Sequence, residues 1–576
     1  MPPKQSRNAK TNKTVIRSQK AGGSGSNAGG DNVPTRPSFR AMLRTLFFAL
    51  VVGRIAMFVP WLIKSLPLGS SMPDLWVRPM NATPGNFAEA GLQPRCGMVE
   101  ADAPGFRFCE DLEHIPGTSS VLVTCDAERH LWNTVMGPLS DPEPRGTLWT
   151  YDYELDTTGH VGARKKAVPI ELVGFPASSD LHPLGTGLLH VPSNGLRAER
   201  WRLAMVNHRR RSSSIEIFDL SRSASGGKFI ANHVRTVTHP LATHTPNSIH
   251  MLSENEMLVS QDHMFARRPA SHAHMQRVWE WILSDFSWLP SSVPTGYVAS
   301  ALAHITSFGP VAAVMAEVET VLGLPLSWVS YLAFQDKTLG GAEGEVEVSG
   351  VNAHVVASGI PFPNGVLVSP DEKTLVIAST MMPGVYVYGI DAGSGAQPLS
   401  SRLKPENIHM KSRFHLPFMS DNLAFSHSDD GEDGAAAGRA GDVFGGLALL
   451  ASGHPSPLET IGMAKSPFTK TAPSWTVAIT ASDGSADAKV VDPAPLPVHK
   501  RTLSSNPAFQ ITTLLQTKGK TLESSDAPAY ILPGDHVEMP TSTSTFAVTG
   551  GRNKGTLLVS GLYAGVLDCR NVGIAV

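Results

Sequence analysis

The sequence has few cysteines and no large excess of charge of either sign, and several familiar catalytic motifs are absent from it. Of its 576 residues only 4 are cysteine, and no C-x-x-C pair occurs, which argues against a zinc ribbon or a thioredoxin-type site. Lys and Arg number 48 against 50 Asp and Glu, so the chain lacks the basic excess typical of nucleic-acid binding. No G-x-S-x-G, Walker A or H-E-x-x-H sequence occurs, which disfavours serine-elbow hydrolases, P-loop NTPases and zincin-type metalloproteases.

The composition that is present indicates a large folded domain made of many short strands. Hydrophobic residues make up 41% and charged residues 17%, so a substantial core can form and a wholly disordered or fibrous protein is excluded. The 52 glycines and 44 prolines predict many turns.

The N-terminal segment predicts the compartment. Residues 1–40 hold eight basic residues and one acid, with Gly/Ser/Asn runs, and are typical of a disordered basic tail. Residues 41–64 form an apolar segment long enough for a membrane helix, with Arg54 as the one charge inside its apolar run. We interpret it as a transmembrane signal anchor, with the tail cytosolic and the remainder lumenal (endoplasmic reticulum or secretory pathway) or extracellular. A cleaved signal peptide and a buried helix are the alternatives.

Cysteine usage fits an oxidising compartment. A bridge between Cys96 and Cys569 would join the first and last segments of the soluble part, which begins after a linker at residues 65–94. The sequon at Asn81 would lie on the same side of the membrane, which predicts a glycoprotein.

Residues 95–576 read as an all-β array. Short apolar runs separated by turn residues recur without intervening helical patterns, and hairpins with polar turns at residues 249–260 and 364–378 are typical of propeller blades. A β-sandwich is the alternative. Two segments depart from this pattern. Residues 270–345 are predicted to be a mostly helical apolar insertion, with a second membrane span as the weaker reading, and residues 426–442 are predicted to be a flexible loop, because their acids do not match the EF-hand spacing.

Polar side chains stand at the edges of these apolar runs. Each alone is typical of a turn, but carboxylate and amide oxygens from separate blades could meet around a hard cation such as Ca²⁺ at the hub of a propeller. The segments that carry such groups are residues 109–113, 182–186, 205–208, 246–249, 259–263, 363–371, 420–423 and 453–454.

Taken in order, these segments resemble the serum paraoxonase/arylesterase family of calcium-dependent lactonases and esterases, over roughly residues 95–570. The stretches CEDLE (109–113), MVNH (205–208), VSQDH (259–263), PNGVLVSPD (363–371), SDNL (420–423) and the terminal VLDC (566–569) carry the resemblance. It implies an all-β, six-bladed β-propeller with two calcium ions in its central tunnel, and a closing disulfide between Cys96 and Cys569.

The resemblance also implies the ligands of both ions. The catalytic calcium would be held by Glu110, Asn247, Asn364, Asp421 and Asn422. The deeper, structural calcium would be held by Asp111, the main-chain carbonyl of Thr186, and Asp262.

One departure concerns the paired histidines that transfer protons in this family. His208 matches the second of them, whereas the first falls on Leu184. His182 lies two residues earlier and could face the same side as Leu184 in an extended segment; a buried histidine in a His-Pro turn is the alternative. His263 and His454 also resemble family histidines. We therefore predict His208, His182 and Asp421 as catalytic residues.

The expected reaction is hydrolysis of lactones or aryl esters, in which calcium polarises the carbonyl and a histidine or carboxylate activates water. The substrate is then a small molecule, with no nucleic acid involved. Two alternatives remain open at this point: a non-catalytic, calcium-stabilised propeller that acts as a binding module, and a strictosidine-synthase-like propeller.

Overall fold

The computed structural model describes a ring of β-sheets with a small number of helices. The predicted tail, signal anchor and linker, with Asn81, lie outside the described residues, as does most of the predicted loop at 426–442. The described residues are 95–154, 165–193, 199–223, 227–284, 295–335, 350–393, 397–429, 443–481, 509–517, 519 and 539–573.

Twenty-six strands occur in this part of the chain. In chain order they are β1 (Arg95–Met98), β2 (Cys109–His114), β3 (Ser120–Cys125), β4 (Thr147–Asp152), β5 (Val168–Pro169), β6 (Glu171–Val173), β7 (Pro183–Val191), β8 (Arg200–His208), β9 (Ser213–Arg222), β10 (Phe229–Val237), β11 (Pro246–Ser253), β12 (Glu256–Gln261), β13 (Ser327–Phe334), β14 (Val351–Ile360), β15 (Pro363–Val368), β16 (Thr374–Ser379), β17 (Gly384–Ile390), β18 (Ile408–His415), β19 (Met419–Phe425), β20 (His427–Ser428), β21 (Leu449–His454), β22 (Ser474–Ala481), β23 (Phe509–Thr517), β24 (Ser542–Gly550), β25 (Leu557–Gly561) and β26 (Val566–Arg570).

These strands form six sheets, which are the blades of a β-propeller. Blades I to VI have the strand orders β2-β3-β4-β5, β7-β8-β9-β10, β11-β12-β13-β14, β15-β16-β17-β18, β19-β21-β22-β23 and β24-β25-β26-β1, with β6 added beside β10 and β20 beside β24. The first strand of each blade contacts the first strand of the next, and β24 contacts β2, so the ring is closed. The predicted six-bladed propeller is therefore confirmed, and the sandwich alternative is wrong.

Apolar side chains pack between neighbouring blades, which explains why many strands read as nearly continuous hydrophobic runs. Leu122 and Leu148 of blade I, for example, contact the cluster around Trp201 and Leu203 of blade II. Burying each such side chain stabilises the fold by about 1.5–3 kcal/mol.

Blade VI is built from both ends of the domain. β1 pairs antiparallel with β26, which places Cys96 directly opposite Cys569, and the two form the predicted disulfide. A second disulfide joins Cys109, the first residue of β2, to Cys125, the last residue of β3. This second bond was not predicted.

Each of the six inner strands begins with a β-bulge. The pairing register shifts at Cys109/Asp111, Pro183/Thr186, Pro246/Ile249, Pro363/Val366, Ser420/Leu423 and Ser542/Thr545, and in each case the inner strand has one residue more than its partner. A bulge interrupts the two-residue alternation of side chains and re-aims the residue beside it. The bulges therefore determine which polar side chains face the centre of the ring.

Helices occur within residues 270–345, where a helical insertion was predicted, and at two other places. Between β12 and β13 lie α1 (His272–Ser284), α2 (Thr295–Thr306) and α3 (Gly309–Leu322). The two later helices are α4 (Leu399–Arg402) and α5 (Pro457–Lys465). Among the described residues no single helix has the length and apolar character to cross a membrane; α2 and α3 meet that test only as a pair, with an 89° bend between them.

Candidate functional site

A cavity of about 180 Å³ lies where the inner strands begin. Glu110, Leu184, Asn247 and Asn364 are the second residues of β2, β7, β11 and β15, and all four line it together with Asp421, the third residue of β19. Residues separated by more than 300 positions in the sequence thus meet in one wall.

Four buried oxygen atoms in or beside this wall have no hydrogen-bond partner among the described residues. They are Glu110 Oε2, Asn247 Oδ1, Asn364 Oδ1 and Asn422 Oδ1. They come from four different blades, and leaving a buried polar atom unpaired costs about 1–3 kcal/mol. A group that accepts oxygen ligands at this place would therefore stabilise the fold.

The amide nitrogens of the same side chains are bound, which fixes the direction in which each oxygen points. Asn422 donates Nδ2–H to Glu110 Oε1 at 3.0 Å, and Asn364 donates Nδ2–H to Asp421 Oδ1. Asn247 donates Nδ2–H to Asp262 Oδ2 at 3.3 Å. Each amide thus turns its donor toward a carboxylate and leaves its acceptor free.

Two glycines allow neighbouring blades to approach closely beside these residues. A Cβ on Gly365, which follows Asn364, would lie 2.4 Å from the main-chain nitrogen of Leu423 in blade V. A Cβ on Gly185 would lie 2.2 Å from the carbonyl oxygen of Asn247 in blade III. Larger residues there would push the polar side chains of adjacent blades apart.

Acidic side chains are concentrated at the same place. Burial raises the pKa of Glu110 well above its usual value, and the nearby carboxylates of Asp111 and Asp421 raise it further, while Arg129 opposes them. A cation bound beside Glu110 would favour its ionised form.

The first predicted ligand set therefore fits a hard cation such as Ca²⁺. All five residues, Glu110, Asn247, Asn364, Asp421 and Asn422, are buried. Glu110 pairs with Asn422 and Asn364 with Asp421, whereas Asn247 is held by Asp262. Carboxylate and amide oxygens are the ligands that calcium prefers. The described residues contain no group of three or more His, Cys, Asp or Glu arranged to hold a metal. This agrees with the proposed set, because three of its five ligands are asparagines and only Glu110 and Asp421 are acidic.

The second predicted set does not fit a cation. Asp111 accepts hydrogen bonds from Thr186 N–H at 2.6 Å, Thr186 Oγ1 at 2.8 Å, Ser544 Oγ at 2.7 Å and Leu112 N–H at 2.8 Å. These donors occupy both carboxylate oxygens, and Thr186 approaches with its N–H and hydroxyl groups. Asp262 belongs to a different contact, in which its Oδ1 lies 2.9 Å from Nδ1 of His263 and its Oδ2 accepts from Asn247. Protein donors thus stand where a deeper calcium was expected.

The two predicted catalytic histidines are not among the residues that line the cavity. Both ring nitrogens of His182 are engaged, Nδ1 with Asp126 Oδ2 at 3.0 Å and Nε2 with the Pro142 carbonyl at 3.1 Å. The expectation that His182 would face the same way as Leu184 was wrong, because the bulge between Pro183 and Thr186 interrupts the alternation.

His208 supports the cavity wall through the backbone. Its Nε2 lies 2.7 Å from the carbonyl oxygen of Pro246, the residue before Asn247, and its Nδ1 contacts Thr134 Oγ1. Burial lowers the pKa of His208 to about 4, so it is neutral near pH 7. Through its Nε2 hydrogen bond His208 positions Pro246 and, with it, the neighbouring Asn247.

His454 is the histidine that does line the cavity. It is the last residue of β21, and its Nε2 lies 2.8 Å from Asp421 Oδ2, while its buried Nδ1 has no partner among the described residues. In the tautomer that donates Nε2–H to Asp421, the lone pair of Nδ1 is free to accept a proton. Two sequence signals pointed to His454: its position at the end of an apolar run, after Gly453, and its resemblance to a histidine of the paraoxonase/arylesterase family.

Arg129 is a cavity residue that the sequence did not reveal. It lies in the loop between β3 and β4, is 4% exposed, and donates Nη2–H to the Pro183 carbonyl at 2.9 Å. The Cys109–Cys125 disulfide fixes the start of this loop four residues before it.

Comparison with known proteins gives only distant likenesses. No protein-family model matches the chain, and no curated protein sequence does. Among similar solved structures, a luciferin-regenerating enzyme is 11% identical with a TM-score of 0.35, and the match covers 84% of this chain and 98% of that one. A gluconolactonase from Xanthomonas campestris is 10% identical with a TM-score of 0.32, and the match covers 88% of this chain and 96% of that one. A GH93 α-L-arabinofuranosidase from Fusarium graminearum is 9% identical with a TM-score of 0.34, and the match covers 82% of this chain and 97% of that one. Similarity at this level carries no inference about chemistry, which rests on the residues of this chain.

Proposed function

We propose that this protein is a calcium-dependent hydrolase of lactones or aryl esters, with one ion at the first ligand set. The observation that carries the proposal is a group of four unpaired, buried oxygens: Glu110, Asn247 and Asn364 line one cavity, and Asn422 directly follows Asp421 of its wall. The resemblance of the segments around these residues to the paraoxonase/arylesterase family supports it.

A bound calcium supplies Lewis acidity that polarises a carbonyl and stabilises the negative charge developing on its oxygen. The remaining chemistry belongs to side chains of this chain. His454 accepts the proton of the attacking water at Nδ1, and Asp421 orients the ring through Nε2 and stabilises the imidazolium that forms. Asn364 holds Asp421 in place from the other side.

The cavity suits a small substrate with apolar parts. Leu184, Met136, Phe362 and Leu562 line it beside the polar residues, so apolar parts of a substrate can pack next to the reacting carbonyl. Lys465 and Ile461 of α5 line it as well and are exposed, so they lie toward solvent.

We also propose that the propeller faces a lumenal or extracellular space. Its two disulfides are typical of an oxidising compartment, which supports the placement inferred from the predicted signal anchor. Membrane attachment through residues 41–64 belongs to the same proposal.

The test is hydrolysis by the purified full-length chain of a panel of aryl esters and lactones, before and after chelation and calcium re-addition. We expect activity that EDTA abolishes and calcium restores, and that Asn364→Ala lowers at least 100-fold. Asn352→Ala, an exposed position on β14, serves as the matched control and should retain full activity. Activity that survives both chelation and Asn364→Ala would refute the proposal.

A non-catalytic propeller is the second candidate, and one observation favours it: neither His182 nor His208 lines the cavity. On that reading the chain binds calcium and small molecules without turning them over. Calcium binding with no hydrolysis across the whole panel would establish it and exclude the hydrolase.

A further inference from the structure

The cavity wall contains a buried cationic side chain that the proposed reaction does not use. The Arg129 guanidinium is almost completely buried, and among the described residues no carboxylate oxygen lies within 4.0 Å of its nitrogens. Its one side-chain hydrogen bond is to the Pro183 carbonyl, and its Nε has no partner in the same part of the chain. Arginine stays protonated in proteins, so this is a buried charge without a counter-ion in contact.

The other two cations of the wall do not share this property. Arg267 is paired with Glu317 and donates Nε–H to the Val135 carbonyl at 3.2 Å. Lys465 lies exposed at the end of α5, where water solvates its charge. Arg129 is therefore the cation in the wall that has both a buried position and free hydrogen-bonding capacity.

The position of Arg129 relative to the ligand set determines what it can receive. Arg129 and Glu110 line the same cavity, and the carbonyl partner of Arg129, Pro183, directly precedes Leu184 in its wall. A planar guanidinium matches a carboxylate better than any neutral acceptor, because its N–H groups form a fork. An anionic group that reached it would stand beside the carbonyl that the cation polarises.

We propose that Arg129 binds an anionic group of the substrate, so that the preferred substrates are esters or lactones that carry a carboxylate near the reactive carbonyl. This inference rests on the proposed hydrolase function for its kinetic test, and it has a separate binding test. Arg129 determines specificity in this scheme, and the reaction itself takes place at the cation and His454.

The kinetic test uses two aryl esters of the same leaving group and chain length, 4-nitrophenyl valerate and the 4-nitrophenyl half-ester of glutaric acid. For the calcium-loaded full-length chain we expect kcat/KM for the anionic ester to exceed that for the neutral ester at least tenfold. Arg129→Met should lower that ratio at least tenfold, and Arg129→Lys should lower it less, because lysine keeps the charge and loses the fork. Arg402→Met, which removes another buried arginine that pairs with Glu372 away from the cavity, should leave the ratio unchanged.

The binding test needs no turnover. Calorimetry should show glutarate binding at least ten times more tightly than its neutral analogue glutaramide to the wild-type chain, and Arg129→Met or Arg129→Lys should reduce this preference. If the chain hydrolyses nothing but retains this preference, the proposed function fails and the anion site stands.

Three results would overturn the inference. An equal loss of kcat/KM on both esters in Arg129→Met would assign Arg129 to the reaction centre. Loss of bound calcium in that variant would show that Arg129 acts only by balancing the charge of Glu110. No preference for glutarate over glutaramide in the wild-type chain would exclude the anion site without any variant having to fold.

Discussion

The disulfide that closes the ring should contribute more to stability than the disulfide inside blade I. Cys96 and Cys569 are separated by 473 residues and Cys109 and Cys125 by 16, although both bonds join adjacent antiparallel strands. Removing a cross-link restores loop entropy to the unfolded chain, and the amount grows with the logarithm of the loop length. The double variants Cys96→Ala/Cys569→Ala and Cys109→Ala/Cys125→Ala therefore form a matched pair.

The chain-entropy relation gives the expected sizes. Loss of the bond with the 473-residue separation should lower the free energy of unfolding by about 6 kcal/mol, and loss of the 16-residue one by about 3 kcal/mol. Each figure is an upper estimate, because an unfolded chain under native conditions is already compact. The closure variant should therefore lose about twice as much stability as the blade I variant.

Equilibrium unfolding in guanidinium chloride measures both variants under non-reducing conditions. The buried tryptophans Trp149, Trp201, Trp328 and Trp475 lie in four different blades, so their fluorescence reports on the whole ring. We expect the closure variant to have the lower midpoint. If the blade I variant lost as much stability as the closure variant or more, loop closure would not explain the role of the Cys96–Cys569 bond.

Three further predictions concern the cavity and its surroundings. His454→Gln should lower kcat about 100-fold or more while calcium content stays unchanged, since general-base catalysis contributes about 10²–10⁴; an unchanged kcat would exclude His454 as the base. Burial lowers the pKa of His208 and of His244 from 6.5 to about 4, so between these pH values the unfolded state binds more protons than the folded state. The free energy of unfolding should therefore fall as the pH drops from about 6.5 to about 4, by up to about 3 kcal/mol for each histidine. Urea titrations that show no change in stability across this range would contradict this prediction. Gly453→Ala should destabilise blade V because its Cβ would lie 1.9 Å from the Met419 carbonyl, whereas Gly462→Ala on α5, with open space around it, should not; equal melting temperatures of the two variants would contradict the packing argument.

The array of blades and the polar positions at the starts of the inner strands could be predicted because they depend on patterns local to each blade, whereas the number of blades and the grouping of these positions into a ligand set followed from the family resemblance. Glu110, Asn247, Asn364 and Asp421 are each the second or third residue of an inner strand, so they stood out at the edges of apolar runs. In a propeller the first residues of the inner strands lie around the central axis. Strand starts that are identified from the sequence therefore also indicate which residues are close in space.

The histidines could not be placed in the same way, because a bulge changes which side chain faces the centre. A regular strand would have turned His182 and Leu184 to one side, and one additional residue at the start of β7 separates them. No common sequence marks these bulges: three of them begin at a proline, as at Pro183, and the other three contain none.

Contacts between blades could not be predicted from the sequence either. The donors that surround Asp111 come from Thr186 in blade II and Ser544 in blade VI, and hydroxyl residues of this kind occur throughout the chain. Arg129 lies in a loop with no periodic pattern, and its burial results from the strands around it. These features depend on tertiary packing, which no local pattern encodes.

The central claim is that oxygens from four blades hold one calcium ion, and the metal content of the purified full-length chain tests it most directly. After dialysis against calcium and removal of free metal, elemental analysis should find one calcium per wild-type chain, none in Asn364→Ala, and one in Asn352→Ala. A wild-type chain without calcium, or an Asn364→Ala variant that binds as much calcium as the wild type, would contradict the account. Two ions per chain would show that the hydrogen bonds around Asp111 do not replace the structural calcium expected there.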